Sequence, residues 1–255
     1  MKAIWRSGMP SRSPGRASPA DIRLLPALIA AALLCCAAGA SRAEDRPLGA
    51  GGRAPSPTDG DSAAAEVLLV RVKEAWNARG SLVATIEQTQ EFAGFDEPLV
   101  SRGKLRILKP SYFDLRFDPP HRQRQVCDGK HVWTYMEDQK QAFRTPLSPD
   151  ARLGADLFNW ALVGARGRSA RSDTSMGEGI LRLELAPGAN LSLAELRVWL
   201  REATAELIAC EVIDAEGNRT RVRILSLRDD PGLGPDDFRF APPEGTEVID
   251  AGGGG

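Results

Sequence analysis

Residue types that commonly catalyse reactions or bind metals are scarce in this chain. Among 255 residues there are two histidines and four cysteines. Neither His121, beside a double proline, nor His131, just after a turn, has cysteine or carboxylate neighbours at metal-ligand spacing. A Gly-x-Ser-x-Gly elbow, a phosphate-binding loop and a dinucleotide fingerprint are all missing. We therefore expect no enzymatic activity, no metal and no cofactor.

The chain also lacks an excess of positive charge, with 33 basic against 34 acidic residues. Proteins that bind nucleic acid through their backbone phosphates need a basic field, so we expect no nucleic-acid partner. Short basic clusters occur at residues 121–124 and 166–171. Charge runs of this kind usually lie in solvent, and we interpret both as loop charge.

Only one long apolar run is present, at residues 24–38, after a basic segment and before Ser41-Arg42-Ala43. It is short for a membrane span and precedes small residues, so residues 1–43 predict a cleaved secretory signal and a soluble, exported protein. A retained anchor and lipidation at Cys36 are the alternatives, but the small residues that lipidation requires before the cysteine are missing. Residues 44–61, rich in Gly and Pro, predict a flexible linker, and residues 251–255 a flexible tail.

Two cysteines follow the leader, Cys127 and Cys210. An oxidising compartment favours pairing of an even number of cysteines. Both residues, however, lie in strand-like runs far apart in the sequence, and such strands are not neighbours in a meandering sheet. A disulfide and a pair of buried, inert thiols both remain open, and the spacing favours the thiols.

The most informative stretch is GKLRILKPSYFDLRF, residues 103–117, which alternates with a period of two. Such alternation predicts half-buried antiparallel strands, and the proline between them marks a bend or edge. Lysine at the end of an apolar row either extends its ammonium group to water or holds a polar contact inside a hydrophobic chamber. The row on one face comprises Leu105, Ile107 and Lys109 before the proline, then Phe113, Leu115 and Phe117.

Further strands are predicted at residues 82–87, 124–127, 132–136, 180–186, 194–201, 205–213, 219–227, 238–240 and 247–250. Two segments show helical spacing instead. The first begins with Ser62 as N-cap and ends near Gly80, and its predicted apolar side is Val67, Leu68, Val72, Ala75 and Trp76. The second is residues 150–165. A long sheet with one apolar face must curl, with helices on its concave side. We expect one mainly β (α+β) domain over residues 62–250, built on a single curled antiparallel sheet.

Three motifs in this order resemble the LolA family, the periplasmic carriers of outer-membrane lipoproteins. Residues 103–117 are similar to the family's Gly-x-Leu-x-x-x-Arg-Pro-x-x-Phe-x-Trp. The hairpin Asp128-Gly129-Lys130, followed by Trp133 and Tyr135, is the second. Residues 238–248 are similar to Phe-x-Phe-x-Pro-Pro-x-Gly-x-x-Val, and residues 82–90 resemble the family's first strand.

The resemblance implies that the antiparallel sheet is curled into an unclosed β-barrel. It also implies a cavity for acyl chains under a helical lid, with Leu105, Ile107, Phe113, Leu115 and Phe117 as its wall and Lys109 as the lid contact. It implies transfer of lipoproteins, without a cofactor, from an inner-membrane ABC transporter to an outer-membrane receptor, by a protein that we expect to be monomeric. Lys109 and Leu115 stand where the family has arginine and tryptophan. Lysine cannot form the planar, bidentate contacts of arginine. A sensor or scaffold of the same fold, binding envelope lipids or proteins, is the alternative.

Overall fold

A computed structural model of the 255-residue chain describes residues 59–120, 122–147, 157–162, 164–188 and 193–251. The predicted signal sequence, almost all of the linker and most of the flexible tail lie outside these residues. The described part is dominated by one sheet of twelve strands. This confirms the mainly β class.

The strands are β1 (Ser81–Glu91), β2 (Leu99–Leu108), β3 (Tyr112–Phe117), β4 (Gln123–Asp128), β5 (His131–Met136), β6 (Gln141–Pro146), β7 (Arg166–Ser172), β8 (Ile180–Ala186), β9 (Leu193–Arg201), β10 (Leu207–Asp214), β11 (Arg219–Asp229) and β12 (Glu247–Asp250). Their order across the sheet is β12-β6-β5-β4-β3-β2-β1-β11-β10-β9-β8-β7. The pairing is antiparallel throughout, except that β12 runs parallel to β6. Because β12 and β7 form separate edges, the sheet does not close.

Two helices are described, α1 (Asp59–Asn77) and α2 (Leu157–Leu162). Helix α1 begins three residues before the predicted N-cap, so Ser62 lies within it, and the Ser62 hydroxyl donates to the Gly167 carbonyl at 3.0 Å. The predicted apolar side is wrong at Val67, which is 62% exposed, and the buried side is centred on Leu69, Val72 and Trp76. Residues 150–156 and 163 of the second helical region lie outside the described residues.

We call the face of the sheet that α1 and α2 cover the inner face. One continuous hydrophobic cluster joins it to both helices and includes residues from β1 to β5 on one side and from β8 to β11 on the other. Leu105 and Phe117 of β2 and β3 belong to the same cluster as Leu183 and Leu196 of β8 and β9. Strands so distant in the sheet share one core because the sheet curls around the helices.

The opposite, outer face carries a second, smaller cluster. The segment between β11 and β12 crosses this face, and Phe238, at the end of a 3₁₀ turn (Pro235–Phe238), is fully buried there with Val126, Trp133 and Ala142. Phe240 lies 5.5 Å from Trp133 and 5.8 Å from Tyr135 between ring centroids. The prediction of a strand at residues 238–240 is therefore wrong, because these side chains pack onto a sheet face rather than into its ladder.

Two strands occur that the pattern did not predict, β6 and β7. The basic run at residues 166–171 is the edge strand β7 and not a loop, and Arg124 of the other basic run lies within β4. Gly167 of β7 lies so close to α1 that a Cβ atom there would come 2.5 Å from the Glu66 nitrogen. β7 shows little apolar alternation because its buried positions are occupied by Gly167 and Ser169.

Candidate functional site

The inner face carries all five residues predicted to form the acyl-chain wall. Leu105, Ile107, Phe113, Leu115 and Phe117 are each at least 95% buried and belong to the same cluster. Leu105 lies directly opposite Leu115, and Ile107 opposite Phe113, across the β2–β3 pair. The pleat therefore stays in phase through the turn at Pro110, and the two strands present one continuous apolar surface.

Gly103, the first residue of the family-like motif at residues 103–117, lies at one end of this surface. Gly103 pairs with Phe117, and a Cβ atom at Gly103 would lie 2.5 Å from the Arg116 carbonyl oxygen. Any side chain would therefore push β2 away from β3. The glycine allows the two strands to approach each other closely beside the Phe117 ring.

The wall is buried together with side chains of the two helices. Leu69, Val72 and Trp76 of α1 and Phe158, Ala161 and Leu162 of α2 belong to the same cluster as the wall. The Trp76 and Phe158 rings meet edge to face, with their centroids 4.8 Å apart. This contact joins the two helices over the inner face.

Lys109 reaches the cover, but through α1. Its ammonium group donates to the Trp76 carbonyl in the last turn of the helix and lies 5.5 Å from the centroid of the Trp76 ring. A cation is favourable at a helix C-terminus, where carbonyl groups are left without helical partners. Lys109 is therefore placed as a polar contact of the cover, and through the Trp76 ring it is linked to Phe158 of α2.

The other polar contacts of α1 lie near its ends. At the C-terminal end, Arg79 donates to the Ala75 carbonyl at 2.8 Å and to Asp229 of β11 at 2.7 Å. At the N-terminal end, the Gly167 amide donates to Glu66 Oε2 at 2.5 Å, beside the contact from Ser62. Between these ends the contact with the sheet is made by apolar side chains. The helix is thus held at both ends across a hydrophobic surface.

The family-like hairpin after β4 positions strands and carries no reactive group on the inner face. Asp128 accepts hydrogen bonds from the amides of Lys130 and His131, at 2.9 and 2.7 Å, and from the Trp133 indole at 3.2 Å. Partial burial by itself would raise the pKa of Asp128, but these hydrogen bonds stabilise the carboxylate and lower it. Asp128 is a turn-forming residue.

Neither described cysteine forms a disulfide; Cys127 and Cys210 are buried free thiols. Strands β4 and β10 lie five positions apart in the sheet order, consistent with the expectation from the sequence. Burial raises the pKa of the Cys127 thiol to about 11 and that of Cys210 to about 12. Both thiols are therefore un-ionised at neutral pH and poor nucleophiles.

The sequence pattern did not lead us to assign Phe158 or Gln125 to the inner face. Phe158 was part of a helical pattern, but its contact with Trp76 depends on two segments 82 residues apart in the chain. Gln125 of β4 alternates with Cys127 and so belongs to the inner row, where it is 2% exposed. A polar residue in an otherwise apolar row is the signal that could have identified it.

Across the described ranges, no group of three or more His, Cys, Asp or Glu side chains is arranged to hold a metal ion. In the same part of the chain, neither helix is both long enough and apolar enough to cross a membrane.

Comparison with known proteins agrees with this geometry. The family model described as outer membrane lipoprotein carrier protein LolA matches residues 79–241, which is more than half of the chain. The chain therefore belongs to the LolA family, as the three motifs predicted. The matched region runs from the end of α1 to Ala241 and includes β1 to β11.

Relatives with established names extend the match. The outer-membrane lipoprotein carrier protein of Ralstonia nicotianae is 31% identical over 194 residues, covering 73% of this chain and 86% of that protein. The carrier of Alkalilimnicola ehrlichii is 30% identical over 154 residues, covering 60% and 70%. A solved LolA superfamily protein from Nitrosomonas europaea is 11% identical, with a TM-score of 0.39, and covers 69% of this chain and 97% of that one. The family assignment does not depend on that weak structural match.

Proposed function

We propose that this protein is a periplasmic carrier that holds the acyl chains of lipoproteins on its inner face and moves them from the inner to the outer membrane. The observation that carries the proposal is the apolar wall of β2 and β3, which is buried in one hydrophobic cluster with side chains of both helices. Membership of the LolA family and the names of the relatives support the same role. The sensor or scaffold alternative has no comparable support.

The wall binds by exclusion of water. Each methylene group of an acyl chain that leaves water contributes about 0.8 kcal/mol. In the state described, that surface is occupied by Leu69, Val72 and Trp76 of α1 and by Phe158 of α2. Cargo must displace these side chains, and their lost contacts offset part of the gain. The offset keeps the cargo releasable.

Lys109 regulates this exchange as a polar contact of α1. Opening the cover separates its ammonium group from the Trp76 carbonyl, and lysine then regains hydration readily because its charge is compact. A hydrogen bond from a flexible lysine opens at lower cost than the bidentate contact of an arginine.

The proposed partners follow from the role: lipoprotein acyl chains, an inner-membrane ABC transporter that releases them and an outer-membrane receptor that accepts them. We propose that the protein acts without a cofactor and without catalysis, as a monomer, after export by residues 1–43.

Binding of a synthetic triacylated lipopeptide to the purified mature protein tests the proposal. Phe113→Glu places a carboxylate on the wall, where it must lose hydration or draw water inside, so affinity should fall by about tenfold or more. Val100→Glu is the matched control, because Val100 lies on the same sheet but is 48% exposed. It should leave affinity unchanged.

Circular dichroism must show that both variants keep the sheet. Equal affinity loss in the two variants, or unfolding of Phe113→Glu alone, would show that β3 is an ordinary core strand and would contradict the carrier role.

A further inference from the structure

Two glutamine side chains on the inner row of β4 bury amide groups without partners. Gln125 is 2% exposed, and its Nε2 has no hydrogen-bond acceptor among the described residues. The same holds for Nε2 of Gln123, two residues along the same strand. Residues separated by two on a strand lie on one side of the sheet, so the two amides are neighbours. Buried donors without acceptors destabilise a fold, and native proteins contain few of them.

These amides adjoin the proposed acyl-chain wall. Gln125 lies directly opposite Leu115 on β3 and opposite Thr134 on β5. Gln123 and Phe117 also border a cleft of about 390 Å³, the rim cleft, whose other lining residues belong largely to the outer face and the segment that crosses it, among them Arg124, Tyr135 and Phe240. The inner face thus changes from apolar side chains on β3 to amide side chains on the neighbouring β4, and Gln123 borders the cleft.

The chemistry of the missing partner follows from this arrangement. An amide N–H requires a hydrogen-bond acceptor, and the neighbouring wall takes a hydrocarbon chain. A ligand with both features is an acyl chain joined through a carbonyl group to a polar head. Lys109, the cationic side chain near the wall, lies on the far side of Leu105 and Ile107, four residues along from Leu105. The two amides are uncharged donors and suit a neutral acceptor, whereas the rim cleft beyond Gln123 carries the charges of Arg116, Arg122 and Arg124.

Resting on the proposed function, we propose that Gln125 and Gln123 bind the ester or amide carbonyl oxygens that join the acyl chains of the cargo to its head group. The hydrocarbon then lies along Leu115 and Leu105, and the head leaves through the rim cleft past Phe117. The wall supplies affinity, and the amides set the depth to which the chain enters.

A third inner-face amide without an acceptor, Nε2 of Gln90, lies elsewhere. Gln90 is near the end of β1, opposite Leu99 and Thr220, whereas Leu105 is opposite Ala84. It does not border the wall at Leu115, and the proposal does not include it.

The test compares two synthetic lipopeptides of equal chain length, one with ester-linked acyl chains and one with ether-linked alkyl chains that lack the carbonyl oxygen. Wild-type protein should bind the ester form roughly fivefold more tightly, the factor expected for one net hydrogen bond. Gln125→Met, which keeps the length of the side chain and removes the donor, should bind both forms equally. Gln123→Met should reduce the preference in part.

Gln88→Met is the matched control, because Gln88 is a buried glutamine of the inner row on β1 and is not among the amides that lack an acceptor. It should keep the ester preference of the wild type. Equal binding of both forms by the wild type, or equal loss of preference in Gln88→Met, would overturn the inference while leaving the carrier role intact. Failure of the wild type to bind either form would overturn the carrier role as well. Melting curves of the variants report whether each remains folded.

Discussion

The two faces of the sheet carry covers that are held in different ways. Over the inner face, α1 contacts the sheet through apolar side chains, and its polar contacts lie near its ends, at Gly167, Lys109 and Asp229. Over the outer face, the segment between β11 and β12 is held by rings and charges together. Arg106 and Arg124 stack on Phe238 and Phe240, each with its guanidinium carbon 5.5 Å from the ring centroid.

The same two arginines meet at one acid. Asp114 of β3 accepts hydrogen bonds from Arg106 of β2 and from Arg124 of β4, at 2.9 Å for Arg124 Nε. Arg106 also donates to the Asp237 carbonyl of the crossing segment at 2.9 Å. The outer cover is thus tied to three strands through directional contacts, whereas the inner cover relies mainly on exclusion of water. A cover that exchanges with a hydrocarbon ligand needs apolar contacts, such as those of the inner cover, rather than directional ones.

The largest expected effect on the free energy of unfolding comes from substitution of the two phenylalanines that anchor the covers. Phe238→Ala should lower the free energy of unfolding by about 3–5 kcal/mol, because it empties a fully buried site. Phe158→Ala removes an equally buried ring, but α2 has six residues and can open locally without unfolding the sheet. Its effect on global unfolding in urea should be smaller. Equal effects would remove the distinction between the covers.

Substitution of Asp114, the acid beneath the outer cover, should give the next largest loss of stability. Loss of one partner from a buried ion pair costs roughly 3–5 kcal/mol. The side chains of Arg106 and Arg124 are 31% and 29% exposed, so for Asp114→Asn we expect a smaller loss, about 2 kcal/mol, because solvent screens them. Urea denaturation measures it.

Asp236→Asn is the control, since the Asp236–Arg239 pair is largely exposed and should contribute little. Alternation alone would suggest Asp114, on the outer face, as a control position for substitutions at Phe113. Its contacts with Arg106 and Arg124 make it unsuitable for that purpose. A loss at Asp114 no larger than at Asp236 would show that the outer cover does not depend on this ion cluster.

A smaller, local effect is expected at Lys109. Lys109→Met removes the donor to the Trp76 carbonyl, and a net hydrogen bond contributes about 1 kcal/mol. Amide hydrogen exchange should become faster in the last turn of α1 and in the α2 residues that contact Trp76. Lys104→Met, on the outer face of the preceding strand β2, should change neither. Unchanged exchange in the Lys109 variant would mean that α1 is held without this contact.

The ionisation of Cys127 should not affect stability at neutral pH. The pKa of Cys127 is raised from 9.0 to about 11 in the folded protein, so the unfolded chain loses this proton first as pH rises. Stability should therefore be unaffected below pH 9 and should fall between about pH 9 and 11. Cys127→Ala should reduce the steepness of that fall in urea midpoints measured across this range.

A thiol reagent at pH 8 provides the check, because Cys127 should react with it only after denaturation. Rapid reaction in the folded state would show that the inner core opens at β4. Lipopeptide binding offers a further comparison, since displacement of the inner cover should raise this reactivity while leaving the outer cover unchanged.

Sequence alone determined what depends on short-range pattern. The period of two assigned Leu105, Ile107, Phe113, Leu115 and Phe117 to one face, and the predicted strand at residues 180–186 coincides with β8. Because the period follows from the pleat, neighbours in sequence suffice to reveal it. The order of three motifs was enough to predict the family and, through it, the unclosed form of the sheet, and the long apolar face predicted that the sheet curls.

Only the tertiary structure decided which partners meet across long separations. A contact of Lys109 lies in α1, 33 residues away, and the arginine cluster of Asp114 is completed by a segment more than 100 residues later. Strand β7 owes its place to the close approach of α1 at Gly167, for which residues 166–172 carry no local signal. The amides of Gln123 and Gln125 show the same limit: alternation assigns them to a face, but their lack of an acceptor depends on everything that packs around them.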